Sequence, residues 1–245
     1  MYLPRHFTVT DLVAIAAFVD AAGAADLVTF DGSKPVATLL PVIWDRPPGF
    51  PDSVAGPGPA AGSGRLLGHL AVANPQWQTA QQGALALAIV HGPQAYISPS
   101  WYESKARHGR VVPTWNYQAV HLTGRLTVHR DPEWLRALVS RLTRGHEQPN
   151  PRPWAVTDAP PEYVNGQLKA IVGVELTITA VEAKDKLSQN RGTLDQAGVV
   201  AGLRGQPGSG PAAVADQMAA NLEAAARREL ARGLGMAGIG LRRLR

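Results

Sequence analysis

The sequence contains no cysteine among its 245 residues. Disulfide bonds, thiolate nucleophiles and zinc–thiolate centres are therefore excluded, and any redox chemistry requires a bound cofactor. No run approaches about 18 consecutive apolar residues, so the sequence predicts no membrane span. The opening residues MYLPRHF lack the apolar segment of a signal peptide, which leads us to expect a cytoplasmic protein.

Several catalytic and binding motifs are also missing from the sequence. It has seven histidines but no HExxH pair, so we expect no metal site. It contains no GxSxG or Walker sequence, and the glycines near its end follow no strand, so a dinucleotide-binding fold is not supported. The predicted helices are scattered between strands, which does not suit a helix-turn-helix.

The charge balance gives a weak indication of nucleic acid binding. The formal net charge is +5 and the isoelectric point is about 9.8. Residues 212–245 hold six arginines against three acidic residues, so this tail supplies +3 and the rest of the chain only +2. Because no basic face is concentrated on the body, a solvated tail is the favoured interpretation and direct DNA binding is not.

Alternating apolar and polar residues predict antiparallel strands through most of the chain. Asp31 and Gly32 supply a tight turn between two of them, and Gly124 suggests a bulge. Repeated antiparallel strands with few helices between them predict a barrel or a sandwich. The predicted strands are 27–30, 36–44, 65–73, 84–92, 111–129 and 171–187.

Helical spacing and capping residues predict peripheral helices. Thr10, Asn74 and Asp131 are the expected N-caps of the first three. The segment 45–64, rich in Pro, Gly and Ala, reads as a hairpin loop whose flanking strands pair. The predicted helices are 8–22, 74–82, 131–147, 158–169, 194–203 and 211–232.

Aromatic residues concentrate in residues 91–121, which hold five of the eleven Trp and Tyr residues. Such a cluster is either a core with a wet edge or a platform for a planar ligand. Short hydrogen-bonding side chains and one cation lie beside the rings and suit a planar anionic heterocycle. An aromatic seam between subunits is an equal alternative. The polar residues are Ser98, Ser100, Thr114, Asn116 and Lys105.

Two further segments carry groups suited to phosphate. In GHLAVANPQW (68–77), His69, Asn74 and the amides of a helix start could meet an anion, although a strand followed by an ordinary Asn cap is favoured from these residues alone. KLSQNR (186–191) places two cations, a hydroxyl and two amides after a strand with no acid among them. That donor set favours a phosphate site.

With these motifs the chain resembles the PaiB-like family, the FMN-binding negative transcriptional regulators. The resemblance covers roughly residues 1–204 and rests on MYLPRHF, GHLAVANPQW, GPQAYISPSWY, VPTWNYQAVH, AIVGVEL, and KLSQNR with AGVVAGL after it. It implies a mainly β fold (α+β): an FMN-binding split barrel of the flavin reductase and pyridoxamine-phosphate oxidase type, six-stranded with peripheral helices. It also implies a homodimer with noncovalent FMN near the interface.

The resemblance also assigns the site. Toward the phosphate we expect His69, Asn74, Lys186 and Arg191, and along the isoalloxazine and ribityl portions Ser98, Trp101, Thr114, Asn116, Ser188, Gln189 and Asn190, with Lys105 beside them. Where Asp185 stands the family usually has a bulky residue. The family domain is expected to end at 204, and residues 205–245 to form a Gly/Ala/Arg-rich helical extension.

Three functions remain open at this point. The family name implies a regulatory or redox-sensing flavoprotein. Fold relatives imply an FMN-dependent oxidoreductase acting on a small molecule, and some split barrels bind or degrade haem. The sequence assigns no proton donor for a substrate, so no catalytic residue is named.

Overall fold

The computed structural model describes residues 1–50, 58–59, 63–79 and 83–241. Most of the loop expected at 45–64 lies outside these residues. The strands are Thr8–Val9 (β1), Ala24–Phe30 (β2), Pro35–Pro41 (β3), Ile43–Asp45 (β4), Gly58–Pro59 (β5), Arg65–Ala71 (β6), Leu85–Ile97 (β7), Thr114–His129 (β8) and Ile171–Lys186 (β9). The α-helices are Leu12–Ala22 (α1), Gln76–Thr79 (α2), Glu103–His108 (α3), Pro132–Glu147 (α4), Pro161–Leu168 (α5), Thr193–Arg204 (α6) and Ser209–Leu241 (α7).

The two best-defined helix starts depend on aspartate caps. Asp131 begins α4 as predicted, because its carboxylate accepts the backbone N–H of Trp134 at 2.9 Å. The first helix differs from the prediction. Its cap is Asp11, which accepts from the backbone N–H of Ala14 at 3.0 Å, and residues 8–9 form a strand. An aspartate one residue after Thr10 offers the stronger cap, so the helix begins later.

The strands form one antiparallel sheet in the order β3-β2-β7-β8-β9-β6-β4, with β1 and β5 paired to β9. The predicted β2–β3 hairpin is confirmed, and Asp31 accepts the backbone N–H groups of Ser33 and Lys34 in its turn. The strands flanking the 45–64 segment pair as expected, with Ile43 opposite Leu67. Most of the segment 111–129, which was predicted to have strand structure, forms a single strand, β8.

The sheet closes on itself within one compact part of the chain. β3 and β6 end the six-strand order β3-β2-β7-β8-β9-β6, yet a Cβ on Gly68 of β6 would lie 2.5 Å from Leu40 Cδ1 and 3.0 Å from the Pro41 carbonyl oxygen of β3. Glycine is therefore required where these two strands meet. The predicted split barrel with peripheral helices is confirmed, although the sheet of the described residues also contains β1, β4 and β5 besides these six strands.

The barrel interior is filled by side chains. Leu27, Leu40, Leu66 and Leu176 are among the residues around a residual cavity of only about 10 Å³. A cavity of that size barely holds one water molecule. A planar ligand therefore cannot lie inside the barrel.

The chain divides into two compact units. The first unit comprises Met1–Leu3, Thr8–Gly92 and Ala119–Lys184, and the second comprises Pro4–Phe7, Pro93–Gln118 and Asp185–Arg245. The second unit has its own core, in which Val199 and Leu203 of α6 pack with Val214 and Met218 of α7. The division between residues 204 and 205 stays a prediction.

Candidate functional site

The KLSQNR segment forms a strained turn directly after β9. Ser188 has a φ of 65°, and it is the one non-glycine residue with positive φ among the residues that the structure describes. Its side chain is buried and its hydroxyl accepts the side-chain amide of Asn116 at 3.0 Å. The Gln189 amide closes the turn by accepting the N–H of Leu187 at 2.8 Å and donating to the carbonyl oxygen of Asp185 at 2.7 Å. Three hydrogen bonds thus hold a backbone conformation that a serine rarely adopts.

The two cations of this segment have different surroundings. The Lys186 ammonium group donates to the Thr114 hydroxyl at 2.6 Å and to the carbonyl oxygen of Trp115. The Arg191 guanidinium lies 4.8 Å from the centre of the Tyr102 ring. Hydrogen bonds position the Lys186 ammonium group, and a cation–π contact positions the Arg191 guanidinium. The segment therefore presents two positioned cations within one unit.

Tyr102 is the residue of this region that sequence reasoning did not select. It is 3% exposed, and its hydroxyl makes no hydrogen bond of ordinary length within the described part of the chain. Burial raises the pKa of the hydroxyl, and the neighbouring Arg191 acts in the opposite direction. A buried hydroxyl without a partner usually indicates a ligand or water that completes its hydrogen bonding. The sequence signal that could have identified Tyr102 is its position at the end of the aromatic motif AYISPSWY.

Ser98 and Lys105 lie on the turn and helix after β7, whereas Asn190 follows β9. Ser98 caps the short 3₁₀ turn at Pro99–Trp101, where its hydroxyl accepts the N–H of Ser100 at 3.2 Å. The Lys105 ammonium, on α3, donates to the Ser100 hydroxyl at 3.2 Å. Asn190 is exposed. Hydroxyl and cationic groups thus accumulate at this end of the second unit.

The indole ring of Trp101 packs against helix α6, so it is not a ring with both faces open to a ligand. A Cβ on Gly202 of α6 would overlap the indole ring of Trp101, and a Cβ on Gly198 would overlap its carbonyl oxygen. The two glycines, four residues apart on one helix face, allow the indole to lie against the helix backbone. One face of the ring is therefore covered by α6.

Replacing Gly202 with alanine is expected to destabilise the protein by about 1–3 kcal/mol, because the added methyl overlaps the ring. The thermal unfolding midpoint of the variant measures this loss. Gly166→Ala is the matched control, since a Cβ on Gly166 of α5 meets nothing within 4 Å. An unchanged midpoint in Gly202→Ala would contradict the packing described for Trp101.

Two aspartates of the second unit differ in their preference for the proton. Burial raises the pKa of the Asp185 carboxyl, partly offset by the Gln118 amide, which donates to it at 2.9 Å. Burial also acts on Asp195, but the N–H and hydroxyl of Ser104 each donate to its carboxylate at 2.8 Å, and the pKa of Asp195 lies below its ordinary value. Asp195 therefore anchors α3 to α6 as an anion, whereas Asp185 is harder to ionise than an ordinary aspartate.

The structure places ten of the twelve predicted site residues in the second unit and the other two, His69 and Asn74, in the first. Asn74 is confirmed as the cap of α2, because its side-chain oxygen accepts the N–H of Gln76 at 2.9 Å. Its amide nitrogen donates to the Thr38 hydroxyl at 3.0 Å. Both ends of the Asn74 amide are thus already bonded within the first unit.

Gln76 explains much of the GHLAVANPQW motif. Its side chain is 1% exposed and donates to the carbonyl oxygens of Leu27 and Val36 and to the hydroxyl of Thr29 at 2.9 to 3.2 Å. It also accepts from the Thr38 hydroxyl at 2.6 Å. This buried amide ties α2 to both strands of the β2–β3 hairpin. Sequence reasoning missed it because glutamine is usually exposed.

His69 lies on β6 opposite Gly173 of β9. Burial lowers the pKa of its ring, and its Nδ1 is buried without a hydrogen-bond partner among the described residues. The ring is therefore neutral near pH 7 and can donate or accept one hydrogen bond but supply no charge. His69 therefore stays a candidate flavin-binding residue that would contribute a hydrogen bond and no charge.

The second unit has the donor chemistry that a flavin mononucleotide requires. Phosphate binding needs positive charge and hydrogen-bond donors, and Lys186, Arg191 and the Tyr102 hydroxyl are groups of these kinds. The ribityl chain needs short hydroxyl and amide partners, which Thr114 and Ser188 offer. The residues present therefore fit the group.

Comparison with known proteins identifies relatives over most of the chain. Residues 1–180 match the family described as "Putative FMN-binding domain". The protease synthase and sporulation protein PAI 2 of Bacillus subtilis is 32% identical over 206 residues, covering 84% of this chain and 90% of that protein. An uncharacterized protein of Emericella nidulans is 32% identical over 190 residues, covering 67% of this chain and 73% of that protein.

Solved structures show weaker similarity. The FAD and heme binding protein of Mycobacterium smegmatis aligns over 73% of each chain with a TM-score of 0.47 and 15% identity. A likeness at that level says nothing of the ligand.

In the described part of the chain, none of the helices is both long enough and apolar enough to cross a membrane.

Proposed function

This chain belongs to the family of FMN-binding domains, and from that premise we propose that it is a cytoplasmic flavoprotein that holds FMN in its second unit and serves as a regulator or redox sensor. FMN is the cofactor of the family. When bound, the flavin supplies reversible electron transfer, which the cysteine-free chain cannot supply itself. The chain's own residues bind and orient it.

The turn at Ser188 is the observation that carries this proposal. A non-glycine residue in the left-handed region costs about 1–2 kcal/mol, and such conformations persist mainly at ligand sites and switches. Here the strained residue lies between Lys186 and Arg191 in the sequence, in the segment that the family resemblance assigns to the flavin. Lys186 and Arg191 would hold the phosphate, while Thr114, Ser188 and Asn116 would fix the chain and ring.

The regulatory part of the proposal is supported by the printed name of the Bacillus relative, which connects that protein to protease synthesis and sporulation. A small effector or the redox state of the flavin would be the input. The positive charge of the chain concentrates in the tail, so we favour an effect on transcription through a partner over direct DNA contact.

The proposal includes a homodimer. Tyr96 and Trp115 are 50% and 47% exposed, and their ring centres are 6.4 Å apart on the second unit. Exposed aromatic pairs are typical of interface centres. A second copy of the chain would bury this pair.

The absorption spectrum of the purified protein tests the proposal directly. Bands near 450 nm that persist after gel filtration are expected for bound flavin, whereas a Soret band would indicate haem. A colourless protein that also fails to take up added FMN would contradict the main proposal. A gel-shift with operator DNA at physiological salt tests direct regulation, and gel filtration with light scattering tests the dimer.

One observation favours an FMN-dependent oxidoreductase as a second candidate. Asp185 is a partly buried carboxyl whose pKa is raised by burial, and it directly precedes Lys186. A carboxyl with a raised pKa can act as a general acid at a higher pH than an ordinary aspartate. Steady NAD(P)H oxidation by the FMN-loaded protein, with a small acceptor, would support this candidate, and its absence would favour the sensor.

Replacing Ser188 with glycine distinguishes the contribution of Ser188 to folding stability from its contribution to FMN binding. Glycine adopts the positive φ freely, and this relief offsets much of the cost of removing the hydroxyl that pairs with the buried Asn116 amide, so the free energy of unfolding should change by no more than about 1–2 kcal/mol. It loses the hydroxyl, so FMN affinity should fall by about fivefold or more. Thermal unfolding without flavin and a fluorescence titration with FMN measure the two effects. Unchanged FMN affinity would remove Ser188 from the site.

A further inference from the structure

We propose that the first unit contains a second binding site, separate from the flavin segment, for a small organic anion with an apolar body. It is a cavity of about 580 Å³ at the beginning of α4, the end of α5 and the start of β9. That volume is in the range of small-molecule pockets. The residues that give it its chemistry are Arg130, Lys169, Asn165, Val72, Leu135 and Leu168.

One wall of the cavity is fixed by a chain of specific contacts. The backbone N–H of Val72 donates to the carbonyl oxygen of Ala170 at 2.8 Å. The indole N–H of Trp77 donates to the carbonyl oxygen of Val72 at 3.0 Å, and the Arg130 guanidinium lies 5.4 Å from the centre of that indole ring. A cation held over an aromatic face is restricted before any ligand arrives. The wall is therefore preorganised.

Each of the three polar side chains named for the cavity carries a hydrogen-bond donor. Within the residues that the structure describes, neither Arg130 nor Lys169 has a carboxylate within 4 Å. The side-chain oxygen of Asn165 accepts from Arg136, which leaves its amide nitrogen to donate. Two cations and an amide N–H around one cavity select an anionic head group, of carboxylate or phosphate type.

The floor of the cavity is apolar and rigid. Leu135 and Leu168 are 2% and 5% exposed and belong to one packed cluster with Val164, against which Ile171 also packs. Such a floor disfavours a bare inorganic ion and favours an aromatic or branched aliphatic body. The ligand is therefore amphipathic, with its charge at the rim formed by Arg130 and Lys169.

Titration with four probes tests this site, in protein with and without FMN. Phenyl phosphate and benzoate carry both an anionic head and an apolar ring, benzamide lacks the charge, and inorganic phosphate lacks the body. The indole N–H signal of Trp77 in ¹⁵N-labelled protein reports the site, and calorimetry gives the affinity. We expect saturable binding of at least one of the first two, and at least about tenfold weaker binding of the last two.

Variants that remove the positive charge of one cavity residue test whether the probe binds in this cavity. Arg130→Gln and Lys169→Gln should each weaken it by about tenfold or more, whereas Arg125→Gln should leave it unchanged, because the Arg125 guanidinium donates to the Gly83 carbonyl oxygen and does not line the cavity. Equal affinity for benzamide, equal affinity for inorganic phosphate, no saturable binding, or unaffected variants would each overturn the proposal. Displacement of the probe by FMN would do the same, since the cavity would then belong to the flavin. The flavin spectrum is read independently, so either proposal can fail without the other.

Discussion

Replacing Lys186 with alanine is expected to weaken FMN binding by about ten- to a hundredfold, because a charge-assisted hydrogen bond to phosphate contributes about 1.5 to 3 kcal/mol. The Lys186 ammonium is positioned by the Thr114 hydroxyl and the carbonyl oxygen of Trp115. A preorganised cation loses little entropy when the phosphate binds. Quenching of flavin fluorescence during titration gives the dissociation constant.

Loss of Lys186 also removes its bonds to the strand β8, so the titration needs controls for folding. Lys186→Arg keeps the charge and should recover part of the affinity, while Lys34→Ala removes an exposed lysine from the β2–β3 turn and should change nothing. Equal FMN affinity in Lys186→Ala and the parent, with both folded by circular dichroism, would show that Lys186 does not hold the phosphate.

Replacing Gln76 with methionine is expected to lower the free energy of unfolding by about 3 kcal/mol, because three buried acceptors lose their donor while the side-chain volume is nearly kept. The affected groups are the carbonyl oxygens of Leu27 and Val36 and the hydroxyl of Thr29. For a chain of this size the unfolding midpoint should fall by about 6 to 12 °C.

Gln78→Met is the matched control, since Gln78 lies on the same short helix and is exposed. Its midpoint should stay within about 1 °C of the parent, as for most surface substitutions. If Gln76→Met and Gln78→Met unfold at the same temperature, the buried amide does not tie α2 to the hairpin. Thr38→Val should have an intermediate effect, because the Thr38 hydroxyl bonds both Gln76 and Asn74.

Most elements of the fold could be predicted because their signals are local. The Asp131 cap, the Asp31–Gly32 turn and the alternation along β8 each depend on neighbours a few residues apart, and each prediction was confirmed. Three predictions differed from the structure: helix α3 was not predicted, the strand expected at 36–44 is divided into β3 and β4, and α1 starts later than expected. At the start of α1, two adjacent residues, Thr10 and Asp11, could both cap a helix. Only the backbone geometry decides between such neighbours.

Part of the candidate site could also be predicted from the sequence, and part required the structure. Residue types in KLSQNR indicated a donor-rich segment after a strand, and the structure adds the positive φ of Ser188 and the neighbouring Tyr102. From its residues alone GHLAVANPQW was interpreted as a strand with an ordinary Asn cap, and only the family resemblance placed His69 and Asn74 toward the phosphate. In the structure the amides of Asn74 and Gln76 are bonded to β2, β3 and α2. A buried polar network and a ligand site use the same residue types, so composition cannot distinguish them.

The sequence by itself determined the strand and helix pattern, the absence of thiol chemistry, and the family of FMN-binding domains to which the chain belongs, because each is written in local order or in residue type. Only the tertiary structure decided that Gln76 is a buried clamp, that α6 covers one face of Trp101, and that Arg130 and Lys169 share a cavity. Those outcomes depend on contacts between segments far apart in the chain, and close packing fixes them only when the elements assemble.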